Sequence, residues 1–370
     1  SLYLRHRHAW LRRLPRAWFA PLDSWPVLRL AARFAGATSA RGLEDLTLSL
    51  LLGQDGKQAD ELERVAGWLS SLPPADKPDV ILLSNALLAG MAPALKRAAR
   101  CPVACWLQDE HVWLDALAPE MRLAAWHALA DAARAVDGFI AASASYAERL
   151  SEPLRLSPER VSVVFPGLDP DAYTAADVAR RPVTVGFLSR LSEEEGFDRF
   201  VDAYILLRRD PRFADARLAA TGGPSPERGF LKRQLRKLAA AGALANAAVS
   251  PDRFVRDRRG FLADLTLLCV PGAAHEAFAH FAVEAMAAGV PVVLPGLGAA
   301  PEIAAAAGCV TLTADARPET LARAWAELLG DPARLRQESA RGRAAARGVF
   351  SQAASAAALE RALTEGVEAI

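Results

Sequence analysis

The strongest constraint on this chain is a recurrence of short apolar runs, rich in valine, isoleucine and leucine, between longer stretches with helical spacing. A strand buried on both faces reads as a continuous apolar run, and two parallel strands need a crossover of helical length between them. The first half carries DVILLSN (79–85), VACWLQD (103–109), GFIAAS (138–143) and VSVVFPG (161–167). The second carries VTVGFLS (183–189), ARLAATGG (216–223), LTLLCVPG (265–272), VPVVLPG (290–296) and CVTLTA (309–314). The pattern predicts an α/β protein with two doubly wound parallel sheets. At 370 residues and 52% hydrophobic content, the chain is long enough for two domains of about 150 residues or more, each with its own core.

The polar, proline-bearing stretch PGLDPDAYTAADVARRP (166–182) has no sustained period and reads as a connection. The expected division is a first domain over 1–170, a linker over 171–182 and a second domain over 183–348. An alanine-rich helical tail over 349–370 is expected to cross back to the first domain. Asp331 and Pro332 mark a helix start ahead of that tail.

A net charge of +1 gives no overall attraction to nucleic acid. Locally, Arg5, Arg7, Arg12, Arg13, Arg16, Arg29 and Arg33 stand against Asp23 alone, with tryptophans interspersed. This segment reads either as a helix packed on its own domain or as a basic amphipathic helix touching anionic membrane through residues 1–35. Cys101, Cys105, Cys269 and Cys309 lack the paired spacing of a zinc site and read as free thiols in a reducing cytoplasm. There is no run of about 18 uncharged apolar residues and no signal-peptide pattern. The chain begins at Ser1 with a helical pattern and no preceding strand, so missing N-terminal sequence is expected.

In open parallel sheets, ligands bind beyond the carboxyl ends of the strands. After LTLLCVPG comes HEAFAHFAVEAMAAG (275–289), which places Glu276 in a loop and Glu284 in the first turn or so of a helix. The amides of Ala279, His280 and Phe281 then point out of the helix N-terminus, where about half a positive charge suits a phosphate. Carboxylates beside it would accept hydrogen bonds from sugar hydroxyls. For Glu284 the alternative is a helix-stabilising acid worth about 0.3–1 kcal/mol with no ligand at all.

The segment EAFAHFAVEAMAAGVPVVLPGLGAAPEI (276–303) resembles the Glu-x7-Glu region of retaining GT-B glycosyltransferases, in particular glycosyltransferase family 4. GFLSRLSEEEGFDRFVDAYILLRR (186–209) is similar to that family's first strand, phosphate loop and helix, and AATGGPSPE (219–227) to its next strand and loop. VDGFIAASASYAERL (136–150) and VSVVFPGLDPDAY (161–173) resemble the segments before the interdomain linker. The resemblance implies the GT-B architecture, two Rossmann-like domains facing across a cleft, here with a truncated start. It also implies sugar transfer, with retention, from a UDP- or GDP-linked donor to a carbohydrate, lipid-linked or small-molecule acceptor.

Residue by residue, Arg190 matches the arginine on the donor diphosphate, Glu284 the glutamate on the ribose, and Glu276 the glutamate near the transferred sugar. Phe278, Ala279, His280 and Phe281 fall in the donor loop. Gln108 stands where the family commonly has a histidine near the reacting sugar. Asp109, Glu110 and His111 follow it, as acceptor-orienting or proton-accepting groups or as a plain acidic helix start. No Asp-x-Asp motif is present, so neither a metal nor a separate cofactor is expected, and no Gly-x-Gly-x-x-Gly follows a strand to suggest NAD.

The chain departs from the family at several positions. Glu195 replaces a diphosphate-binding lysine; it either faces the phosphate or points to solvent. Lys232, Arg228 and Arg233 are candidates to supply the missing charge. Ala277 and Ala279 replace glycines, and the family's first glycine-rich loop is absent. These departures define the alternative reading, a catalytically silent GT-B-like protein that binds a nucleotide or a partner.

Overall fold

The computed structural model describes residues 24–25, 43–225, 227–251, 257–272 and 276–368. The arginine-rich start, apart from Ser24 and Trp25, and the membrane contact expected of it lie outside the described residues. The chain divides into two compact units. One comprises Ser1–Ile140, Arg149–Ser162 and Leu363–Ile370; the other comprises Ala141–Glu148 and Val163–Ala362. The whole stretch read as a connection, 166–182, clusters with the second unit, as do residues 141–148. Among the described residues no helix is long and apolar enough to cross a membrane.

The first unit is built on a four-stranded sheet in the order β1-β2-β3-β4, formed by Ile81–Leu83, Val103–Leu107, Gly138–Ala141 and Val161–Val163. All four expected runs supply strands. β1 pairs parallel with β2, Ile81 opposite Val103. Around them lie α1 (Glu44–Leu51), α2 (Ala59–Ser71), α3 (Ala92–Ala99), α4 (Glu110–Asp115), α5 (Pro119–Ala133) and the second part of α6 (Ala144–Leu154), whose residues up to Glu148 cluster with the second unit. Val103, Cys105 and Leu107 on one face of β2 and Ala104 on the other are all buried, which is why this strand reads as an unbroken apolar run.

Both ends of β2 are pinned by carboxylates. At the start, the Val103 amide donates to Asp137 (2.8 Å), which also pairs with Lys96 (2.6 Å). At the end, Glu110 is 1% exposed and accepts the amides of Ala86 (2.8 Å) and Gln108 (2.8 and 2.9 Å). Glu110 therefore acts as a staple between β2 and the segment after β1. Replacing it with alanine leaves two amides without this acceptor, one of them on fully buried Ala86. Such a loss costs about 1–3 kcal/mol per group, so Glu110→Ala is expected to destabilise the protein by about 2–4 kcal/mol in denaturant unfolding, and Glu110→Gln by less.

The second unit carries a six-stranded sheet in the order β10-β9-β8-β5-β6-β7, with every neighbouring pair parallel. Its strands are β5 (Thr184–Leu188), β6 (Arg217–Thr221), β7 (Ala247–Val249), β8 (Leu267–Cys269), β9 (Val292–Pro295) and β10 (Val310–Thr313). Between them run α7 (Phe197–Leu207), α8 (Phe230–Ala240), α9 (Arg258–Ala263), α10 (His280–Ala287) and α11 (Ala300–Ala307). Then follow α12 (Pro318–Leu329), α13 (Pro332–Arg347) and α14 (Gln352–Glu368). Asp331 caps α13 as its sequence indicates, accepting the amides of Ala333 and Arg334.

Strand β7 was not among the expected runs. It is a three-residue edge strand, Ala-Ala-Val, without the β-branched density that marks its neighbours. The core centres on Phe187 of β5, packed against Phe197 and Phe200 of α7, with Phe200 in turn against fully buried Trp325 of α12. Gly186 in β5 is required by close approach, since a Cβ there would run into the Leu265 side chain.

Candidate functional site

The strand order locates the site. From β5 the chain builds outward through β6 and β7, then returns to β5's other side and builds outward through β8, β9 and β10. The order reverses between β5 and β8, and at such a switch point the loops leaving the two strands diverge and leave a crevice at their carboxyl ends.

The loop leaving β5 is stitched to both neighbours. On one side the Leu191 amide donates to Gly223 (2.8 Å), and Gly222, at φ +153°, has no space for a Cβ because the Ser189 carbonyl occupies it. On the other side the Gly272 amide donates to the Glu195 carbonyl (2.9 Å), and a Cβ on Gly272 would collide with the Glu195 backbone. Gly196, at φ +75°, lies against Pro271.

Two helices start from these loops, α7 at Gly196 and α10 at Ala279, and neither has a side-chain cap on its N-terminus. Alanine is a poor N-cap and costs about 0.5–2 kcal/mol relative to serine or aspartate. Both helices therefore turn positive dipole ends toward the switch point, although the first amide of α7, that of Phe197, donates to the Ser192 carbonyl at 3.1 Å. One expected donor is used internally, because the His280 amide turns back to the Phe278 carbonyl (2.9 Å).

Arg190 is exposed and makes only a loose pair with Glu194 at 3.9 Å, an arrangement worth little between half-exposed groups. Glu195 is 8% exposed, so the solvent-pointing alternative for its side chain does not hold. Arg233 is engaged with Glu227 at 2.6 Å. Glu276, in the β8–α10 loop, is half-buried. Ala277, Ala279 and Phe281 are buried, and Phe278 packs against Phe165 and Phe350. His280 is exposed, its ring edge-on to Phe278 at 5.3 Å.

Glu284 lies in the second turn of α10 rather than the first, because the helix begins at His280. It is 8% exposed, and one of its oxygens accepts the Tyr173 hydroxyl (2.9 Å) and pairs with Arg258 (2.8 Å). Burial raises the Glu284 carboxyl above the ordinary glutamate range, while Arg258, the Tyr173 hydrogen bond and Arg259 oppose that rise. Burial and the Glu284 charge push the Tyr173 phenol up to about 12. Arg259 sits over the Tyr173 ring at 5.6 Å. Neither Tyr173 nor Arg258 was marked by sequence: Tyr173 lies 111 residues from Glu284 in a stretch without periodicity.

In the first unit, Gln108 is exposed just past β2, Asp109 is half-buried and His111 is buried on α4. Asp109 has φ +56°, a left-handed conformation that non-glycine residues seldom adopt and that is often retained at functional positions. The neighbouring Glu110 is committed to the backbone staple described above.

Both sheets have the organisation of known GT-B glycosyltransferase structures. The structure of Anabaena Alr3699/HepE in complex with UDP aligns with a TM-score of 0.69 at 21% identity, over 86% of this chain and 84% of that one. Sucrose-phosphate synthase from Thermosynechococcus elongatus aligns at 0.66 and 16% identity, over 85% and 79%. At these identities the likeness establishes the fold. More specifically, residues 182–331 match the family described as glycosyl transferases group 1, a span that contains the switch point and both stitched loops. A D-inositol 3-phosphate glycosyltransferase from Stackebrandtia nassauensis is 32% identical over 214 residues, 52% of this chain and 45% of the relative. The MMP alpha-(1->4)-mannosyltransferase of Mycolicibacterium hassiacum is 26% identical over 220 residues, 59% and 52% respectively. The chain thus spans about half the length of the curated relatives it matches.

Proposed function

We propose that the protein is a retaining glycosyltransferase of family 4 that moves a sugar from a nucleotide-diphosphate donor to a hydroxyl acceptor. The observation that carries this reading is the pair of helix N-termini without side-chain caps at the β5/β8 switch point, with Glu284 in the second turn of one of them. That combination offers positive ends for a diphosphate and a carboxylate for ribose hydroxyls in a single unit. The family match over 182–331 and the GT-B fold shared with a UDP-bound structure support it.

In this mechanism Arg190 and the amides of the α10 start hold the diphosphate, Glu284 takes the ribose, and Glu276 lies by the transferred sugar. Phe278 and Phe281 hold the loop's shape from beneath, and His280 is exposed to meet the sugar. As the glycosidic bond breaks, negative charge grows on the leaving diphosphate, and fixed donors stabilise it without reorganising. Acceptor contacts are assigned to Gln108, Asp109 and His111, with Asp109 the proton acceptor, since Glu110 is committed to backbone amides. The test incubates the full chain with UDP-, GDP- and ADP-sugars and hydroxyl acceptors that include D-inositol 3-phosphate, following nucleotide release and the configuration of the product. Release with a retained product is expected; tight binding without release under every acceptor would favour the silent alternative.

Glu195 sharpens the donor side. Two unit charges about 4 Å apart at an effective dielectric of about 20 interact by about 4 kcal/mol, so a carboxylate near the diphosphate opposes it. Glu195→Lys is expected to tighten nucleoside diphosphate binding by about tenfold or more at low salt, an effect that should shrink as salt is raised. Unchanged affinity in a titration would place the side chain beyond the diphosphate's reach.

A further inference from the structure

We propose that Ser143, clamped by Glu302, is the positioning residue that sets Glu276 against the donor sugar. The inference rests on the glycosyltransferase reading above and adds to it two residues that do not touch the donor themselves.

The loop from β8 to α10 must hold Glu276 in one place if its carboxylate is to meet a sugar, and Ala277 and Ala279 have no side-chain functional group to anchor it. The anchor comes from 134 residues away: the Ser143 hydroxyl, 1% exposed, donates to the Ala277 carbonyl at 2.8 Å. That bond fixes the Ala277–Phe278 peptide, one residue beyond Glu276. The next residue, Phe278, is 2% exposed against Phe165 and Phe350, so hydrogen bond and aromatic packing hold adjacent positions. All of these residues belong to the second unit, which includes Ala141–Glu148.

Ser143 is itself held on the other side. It precedes α6, and its oxygen accepts the Tyr146 amide at 3.1 Å, the geometry of a serine N-cap. The hydroxyl proton is then committed to Ala277. The first two amides of α6, Ala144 and Ser145, are taken by the two oxygens of Glu302 at 2.7 Å each, a carboxylate supplied by the first turn of α11. Glu302 thus occupies this helix start as an anion would and holds Ser143 in register. The chain of contacts runs from Glu302 through the α6 amides and Ser143 to Ala277 and the residue before it.

Such a device acts on the reacting geometry rather than on nucleotide affinity, because displacements near 1 Å cost rate steeply while leaving distant contacts intact. The test uses the full chain as wild type, Ser143→Ala, Ser143→Thr and Glu302→Gln. Hydrogen exchange of the ligand-free protein reads the anchor directly. For Ser143→Ala, peptides covering 276–279 are expected to exchange about tenfold faster, with those of β5 and α7 unchanged, as the loss of one buried hydrogen bond predicts. Binding and turnover read its purpose with UDP and UDP-glucose, or with whichever pair the wild type accepts. Ser143→Ala should leave the nucleoside diphosphate Kd within about twofold and lower kcat by about 100-fold, with Ser143→Thr restoring most of it and Glu302→Gln intermediate. Faster exchange with unchanged kcat would overturn the positioning role, and unchanged exchange would overturn the anchor. A wild type that binds no nucleotide while exchange still responds to Ser143→Ala would instead overturn the functional reading and, with it, any catalytic purpose for the anchor.

Discussion

Gly272→Ala is expected to destabilise the protein by about 3 kcal/mol and to abolish nucleotide binding. The backbone φ at Gly272 is not in the left-handed region, so the cost is steric rather than conformational. A Cβ there would collide with the Glu195 Cα and lie 2.5 Å from the Glu194 carbonyl oxygen. Main-chain atoms cannot swing aside as a flexible side chain can, so the loops after β5 and β8 must separate, breaking the Gly272–Glu195 hydrogen bond between them. These loops carry Arg190 and lead to the starts of α7 and α10, so the crevice at the switch point should change with the fold. Gly223→Ala is the matched control: the nearest atom a Cβ would meet is the Arg190 Cγ at 3.8 Å, an ordinary contact. Chemical denaturation and nucleotide titration of the two variants should therefore diverge; equal behaviour would mean that the two loops are not in fixed contact.

Glu284→Gln is expected to weaken binding of the nucleoside part of the donor by about 10- to 100-fold, since two hydrogen bonds to a charged carboxylate are at stake, each worth about 1.5–3 kcal/mol before water compensates. The pH dependence carries the signature. Burial raises the carboxyl above its unfolded value of 4.5, so the folded state binds the proton more tightly than the unfolded state. Stability from this group is therefore fully present below the unfolded value and declines as pH rises from there through the folded value. Ligand binding runs in the opposite sense. Only the ionised carboxylate accepts two sugar hydroxyls, so affinity should fall as pH is lowered, beginning above the ordinary glutamate range. Glu284→Gln should remove that part of the pH profile in calorimetric titrations, because the amide does not titrate. A wild-type profile that is flat across this window would separate Glu284 from the ligand.

Legibility differed by the range of the interaction that made each feature. The parallel strands were readable because burial on both faces leaves a local trace, as in the unbroken run around Val103 and Leu107. Strand β7 left none: it is short, at an edge and mostly alanine. The position of Glu284 on a helix was readable to within about a turn, because Gly289 ends that helix pattern while no capping residue marks its start at Ala279. What surrounds the site was not readable. Tyr173 and Arg258 on Glu284, Ser143 on Ala277 and Glu302 on the α6 amides are brought together by topology, and polar contacts across such separations leave no period. Similarly, the burial of Glu195 depends on how its loop is packed rather than on the run of acids in which it stands.

The central claim is that the β5/β8 switch point of the second unit is a nucleotide-sugar site. It is tested most directly by titrating the full chain with UDP, GDP and ADP and their glucose or mannose conjugates, in parallel with Glu284→Gln. Saturable binding of at least one nucleoside diphosphate to the wild type, weakened about tenfold or more in the variant, is the predicted result. Binding of none of them, or binding that Glu284→Gln leaves unchanged, would contradict it.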